Sequence, residues 1–257
     1  MLREMFTRSP VDRYAIYFGL MALLGGSLFA ATPAPAQDLT GRLEITALGS
    51  TNRDDSLHAF LGQQSYFHGF GNARIMWEPS FGDFDFTLHY KIEAEAGKGV
   101  GLAKSIAALS PASPPATLFD LKGTLADTND LLITHEIDRL ALGYSAPNFV
   151  VRVGRQALTW GSGMVFHPLD LVDPFAPNAV DTEYKPGVDM LYGQYLFEDG
   201  SNLEAIAVPR APSFGAAPTW DDSTFALRYT GTLGDLTTSA TLARDRGDVV
   251  AGLGLGG

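Results

Sequence analysis

The chain has 257 residues with 16 Phe, 9 Tyr, 3 Trp and no Cys, and 18 Lys plus Arg against 29 Asp plus Glu give a net charge of −11. So acidic a chain is a poor match for nucleic acid, because neutralising phosphates takes a basic surface. Without Cys there are no disulfides, thiolate zinc sites, cysteine-ligated iron–sulfur clusters, attached c-type haem or lipid-modified N-terminal Cys, and no motif calls for a cofactor.

Residues 1–13 carry Arg3, Arg8 and Arg13 against Glu4 and Asp12, and an apolar run follows from Tyr14 to Ala31. Thr32-Pro33-Ala34-Pro35-Ala36 then presents Ala at both small-residue positions before polar Gln37-Asp38. A basic start, a short apolar core and an A-x-A end describe a secretory signal peptide over 1–36, cut after Ala36. The alternative is an uncleaved anchor, since the run approaches the ~20 residues needed to span a bilayer; Gly25-Gly26-Ser27 weaken it for that purpose. Residues 37–257 then carry 15 basic and 27 acidic side chains, net −12, and are destined beyond the inner membrane.

The exported part reads as repeated hairpins. Leu43, Ile45 and Ala47 alternate with Arg42, Glu44 and Thr46; Ala73, Ile75 and Trp77 alternate with Asn72, Arg74 and Glu78. From Phe84 to Glu95 the alternation is unbroken, with Phe84, Phe86, Leu88, Tyr90, Ile92 and Ala94 on one face and Asp85, Thr87, His89, Lys91, Glu93 and Glu95 on the other. Only a strand separates side chains in this way. Twelve residues also exceed the usual ~5–6 of a globular strand and match the ~9–11 that cross a bilayer at a tilt. Further windows follow at Leu140–Tyr144, Phe149–Val153, Leu191–Phe197, Phe225–Tyr229 and Leu236–Leu242.

The connections alternate in length. Short turns are expected at Pro79–Asp83, Ser145–Asn148, Asp199–Asn202 and Gly231–Asp235, and long ones near Thr51–Gln63, Gly97–Asp130, Gly161–Pro186 and Arg210–Asp222. Short turns at one end and long loops at the other are the mark of an antiparallel transmembrane β-barrel of the outer membrane. A secreted β-sandwich would also alternate, but would not need such long strands or the aromatics at their ends. In a bilayer the apolar set faces lipid, because Lys or Arg at the midplane costs ~2–4 kcal/mol. Arg74, His89, Lys91, Glu93, Arg152 and Arg228 then line the lumen, and mixed charges there require water. About ten strands are expected, the last opening at Val249. Leu253-Gly254-Leu255-Gly256-Gly257 reads as too short and Gly-rich to finish a spanning strand and has no terminal aromatic. The barrel is therefore expected to be incomplete, its chain truncated at the C-terminus; the alternative is a genuine ten-stranded barrel with an odd C-terminus.

One stretch departs from the hairpin pattern: Arg152, Gly154, Arg155, Gln156, Trp160 and Gly161, then Pro168, Asp170, Asp173, Pro174, Pro177, Asp181, Glu183, Lys185 and Pro186. Over roughly 149–195 the chain resembles Gram-negative porin-like barrels of the alginate-export type and their relatives, in which R-x-G-R-Q-x-x-x-W-G leads into a Pro/Asp-rich loop. The resemblance implies a pore-forming outer-membrane protein.

Physically, Trp160-Gly161 suits a membrane rim and a sharp turn, and the prolines stiffen the loop that follows. Such a loop can fold back into the mouth and constrict it, its acids near Arg152, Arg155 and Arg228. Arg155 has the opposite parity to Arg152, so it reaches the lumen only past a bulge or at the rim. Calcium among Asp170, Asp173, Asp181 and Glu183 lacks the EF-type spacing. No nucleophile motif accompanies His58, His68, His89, His135 or His167, and His167 with Ser162 and Asp170 is the best catalytic constellation; no enzyme is expected. Ser110-Pro-Ala-Ser-Pro-Pro115 reads as a mobile external segment.

The expected function is passive diffusion of small hydrophilic or acidic solutes, filtered by lumen width and charge. The partners expected are outer-membrane lipid and lipopolysaccharide, the barrel-assembly machinery and the solutes themselves. The alternatives are a non-conducting receptor or adhesin barrel, and a rim enzyme.

Overall fold

A computed structural model describes residues 38–56, 65–109, 117–160, 170–172 and 184–256. In chain order the strands are β1 (Leu39–Thr51), β2 (Ser65–Trp77), β3 (Ser80–Phe81), β4 (Phe84–Gly97), β5 (Lys122–Asp127), β6 (Leu131–Ser145), β7 (Phe149–Gln156), β8 (Val188–Leu196), β9 (Asn202–Val208), β10 (Thr224–Leu233), β11 (Leu236–Asp245) and β12 (Asp248–Gly256). One helix, α1 (Lys98–Leu109), follows β4. No helix among the described residues is long and apolar enough to cross a membrane.

The fold is all-β and antiparallel, with the barrel-like strand order β1-β2-β4-β6-β7-β8-β9-β10-β11-β12 in an open sheet; β3 and β5 lie off this path, against β4 and β6. The path holds the ten strands expected, and the two extra ones are short. The long connection Gly97–Asp130 holds two regular elements. Its first part, KGVGLAKSIAAL, supplies helix formers and becomes α1, while Lys122–Asp127 finds a partner strand in the start of β6. The Pro-rich stretch 110–115 lies outside the described residues. The glycine-rich end also behaves differently from expectation, since Asp248–Gly256 pairs with β11 along its whole length. Its turn explains the pairing: Arg246 and Gly247 both have positive φ, 50° and 92°, the two-residue geometry whose twist matches a hairpin.

The chain divides into two compact units. In the first, β1, most of β2, the second half of β4, α1, β5 and the first half of β6 come together. Lys104 of α1 pairs with Asp127 and donates to the Thr128 carbonyl at 2.7 Å, which ties the helix to the β5–β6 turn.

In the second unit the register from β6 to β12 fixes two chemically distinct faces. Leu142, Val153, Leu191, Ala207 and Phe225 fall in one cross-strand row, and Tyr144, Val151, Gly193, Ala205, Leu227 and Leu242 in the next. This face is the exposed one: Leu142 is 49%, Val153 53% and Leu242 58% accessible. The opposite face carries Arg152, Tyr192, Gln194, Glu204, Arg228 and Thr241, all buried or half-buried. Towards the long connections that face turns apolar, and Trp160 and Val172 pack there against Val188, Met190, Ile206, Val208, Ala226 and Ala243.

Candidate functional site

The charged face is the site that sequence and structure single out, and its parts sort by unit. In the first unit Arg74 on β2 is buried. Lys91 on β4 reaches Glu93 on its own strand and Glu136 on β6, each at 3.4 Å. Glu93 also accepts from the Asn72 amide at 3.4 Å. This is a small network of alternating sign, with Lys91 shared between two carboxylates. Tyr90 and His135 approach with ring centroids 5.9 Å apart.

In the second unit His89 Nε2 lies 2.9 Å from Glu78 Oε1, and Arg152 Nε lies 3.5 Å from Asp85 Oδ2. Arg155 has a very different setting. Its Nε and Nη2 donate to the two oxygens of Asp189 at 3.0 and 2.9 Å. Nη2 further reaches Thr117 Oγ1 at 3.2 Å and the Phe119 carbonyl at 2.5 Å, and Nη1 meets the Ile137 carbonyl at 3.5 Å. The pairing shows no bulge before Arg155; the residue there is Gly154, whose φ of +121° and 2.1 Å approach of the Leu140 carbonyl to a would-be Cβ exclude any side chain. The pairing carries no register shift there, so the strand turns on one glycine without an inserted residue. Arg155 thus fastens residues 117–119 to β7 and β8.

The segment that follows β7 folds back, as its described residues show. Leu158 and Trp160 precede it, Asp170–Val172 fall within it, and Tyr184–Gly187 lead out of it. Lys185 Nζ donates to the Leu158 carbonyl at 2.7 Å and pairs with Asp170. Arg139 donates to Asp138 at 2.8 Å and to the Lys185 carbonyl. Asp170 therefore neutralises the cation of its own segment. Gly161, Pro168, Asp173, Pro174 and Asp181 lie outside the described residues, as do Ser162 and His167.

Among the described residues, Arg228 on β10 is held at one corner. Its Nη1 donates to the Trp160 carbonyl at 2.5 Å, and its Cζ sits 5.9 Å from the centre of the Trp160 rings, within cation–π range. Glu204 faces it from β9, but takes the Tyr192 hydroxyl at 2.8 Å. Thr241 faces it from β11. Arg228 Nε, Trp160 Nε1 and Thr241 Oγ1 are buried, with no hydrogen-bond partner among the described residues.

Sequence reasoning passed over Asp138, Arg139 and Arg210 and gave no role to Lys185 or Asp189 in the stretch it singled out; all five are buried, and each is defined by a partner many residues away. It also missed Thr241, whose residue type is unremarkable in a strand. A signal for Asp189 was present in its opposite parity to Tyr192, the parity relation that separates Arg155 from Arg152. Among the described residues no group of three or more His, Asp or Glu side chains is placed to hold a metal ion. Compared with family models, with curated proteins and with solved structures, the chain finds no match.

Proposed function

We propose that the protein is an outer-membrane, porin-like β-barrel protein of a Gram-negative cell, exported by a signal peptide over 1–36. It lets small hydrophilic or acidic solutes diffuse passively. The observation that carries this reading is the inverted distribution in the second unit, with leucines and valines exposed on one face and arginines and acids closed in on the other. Lipid accepts such an apolar face, and water does not.

Aromatic side chains support the same reading. Towards the short turns, Phe84 lies 5.0 Å from Tyr144, Tyr144 5.7 Å from Phe149, Tyr195 5.0 Å from Phe197 and Phe197 6.5 Å from Tyr229, centroid to centroid. At the long-connection end Trp220 lies 4.4 Å from Phe225, with Arg244 5.6 Å above the Trp220 ring. Two aromatic rims bounding an apolar band are what the two bilayer interfaces select. On this reading the charged face borders water, and Lys91, Arg152 and Arg228 attract anions while Glu93 and Glu204 oppose them. Arg155 instead fastens residues 117–119 to β7 and β8, and Asp170 pairs with Lys185.

The test is reconstitution into planar bilayers. Discrete conductance steps are expected, with an anion-to-cation ratio that falls in Lys91→Glu. A protein that inserts and never conducts would sink the channel reading and leave a binding barrel in its place.

A further inference from the structure

We infer that Arg228, Trp160 and Thr241 form a binding subsite for the carboxylate of a small acidic solute, an assignment that rests on the channel reading only for how the solute arrives. Three polar atoms meet round one side chain without partners: Arg228 Nε, Trp160 Nε1 and Thr241 Oγ1. Trp160 and Thr241 are each only 4% accessible, so bulk water does not satisfy them. Buried polar groups are normally paired, and the exceptions need a reason.

The donor types define the occupant. An indole N–H and a guanidinium N–H can only donate, and a threonine hydroxyl can do so too, so the group that completes the corner is an acceptor. Arg228 is already anchored through Nη1 to the Trp160 carbonyl, which leaves Nε, on the other edge of the fork, buried and without an acceptor. That edge matches two parallel acceptor oxygens in one plane, the geometry of a carboxylate. No acid neutralises Arg228 by ion pairing among the described residues. Glu204, its neighbour in register, is engaged by the Tyr192 hydroxyl. The corner is also preorganised, because the indole under the guanidinium and the carbonyl at its end fix the fork before any ligand arrives.

The test uses the whole chain folded in detergent micelles, with Trp77→Phe and Trp220→Phe so that Trp160 alone fluoresces. Succinate and inorganic phosphate are titrated separately at constant ionic strength, with chloride as the control. A saturable change with succinate is expected, with phosphate weaker by about tenfold and chloride silent. Arg228→Gln lowers succinate affinity by about tenfold or more, the worth of a charge-assisted bidentate pair. Arg228→Lys keeps the charge without the fork and also binds weakly. Thr241→Val loses several-fold while retaining the β-sheet circular dichroism.

A flat succinate titration, or one unchanged in both Arg228 variants, overturns the subsite, as does phosphate binding as tightly as succinate. The channel reading fails separately. Saturable succinate binding in a protein that never conducts leaves the subsite standing without a pore, whereas conductance with a flat titration leaves the pore without the subsite.

Discussion

Arg155 and Arg228 are both cations of alternating strands and were nominated for the same lumen, yet the regions round them are opposites. Round Arg155 the guanidinium is paired with Asp189 and hydrogen-bonded to Thr117, Phe119 and Ile137, and it is only 3% accessible. Round Arg228 one N–H is engaged, one is orphaned, and the nearest acid is turned towards a tyrosine. A buried charge with all its partners joins separate stretches of chain. A half-buried charge lacking partners is a place for something else to bind. Residue type does not separate these roles; the inventory of partners does.

The sharpest way to break the comparison is to remove each arginine in turn. Arg155→Ala leaves Asp189 buried and uncompensated, and is expected to cost about 3–5 kcal/mol in urea unfolding from lipid. The double replacement Arg155→Met with Asp189→Leu recovers most of that loss, since an apolar pair of similar volume removes both desolvated charges. Arg228→Gln loses one hydrogen bond and a cation–π contact, about 1 kcal/mol. Equal losses in the two single variants would erase the distinction between a fastener and a binding group.

A third arginine placed where neither belongs tests what the opposite face touches. Leu142 stands 49% accessible in the row with Val153 and Leu191. Leu142→Arg is expected to destabilise the protein in vesicles by about 2–4 kcal/mol if that face lies against hydrocarbon. Against water the same change would stay within about 0.5 kcal/mol.

How much of this was legible depends on where the information sits. The strand at 84–95 could be read because its two faces differ at every step. The first half of β6 was not legible, since Leu131-Leu132-Ile133 puts apolar residues on both faces. Its pairing depends on Lys122–Asp127, a strand too short to announce itself. The site followed the same rule. Arg228 could be nominated by type, but Thr241 becomes informative only once register sets it opposite Arg228. Asp170 was assigned by its charge to the strand arginines, while chain proximity gave it to Lys185.

The smallest expected effect comes from a carboxylate that copies the bonding of Asp189 without its burial. Asp199, fully exposed in the β8–β9 turn, accepts the Ser201 hydroxyl at 2.6 Å and the Ser201 backbone N–H at 2.9 Å. Those two bonds hold its carboxyl below the usual aspartate range, the hydroxyl contributing most. A folded-state pKa below the unfolded value means that the stabilisation is present above the unfolded pKa. It is lost as pH falls through the folded one. Unfolding midpoints measured from about pH 5 downward are therefore expected to decline slightly less steeply in Asp199→Asn than in the unaltered protein, the difference developing below about pH 4. Exposure keeps the effect small, because water replaces the lost bonds, whereas nothing replaces them for Asp189. Should Asp199→Asn unfold as readily as Arg155→Ala, the number of hydrogen bonds a carboxylate accepts would matter more than its burial, and the contrast between the two arginines would need a different cause.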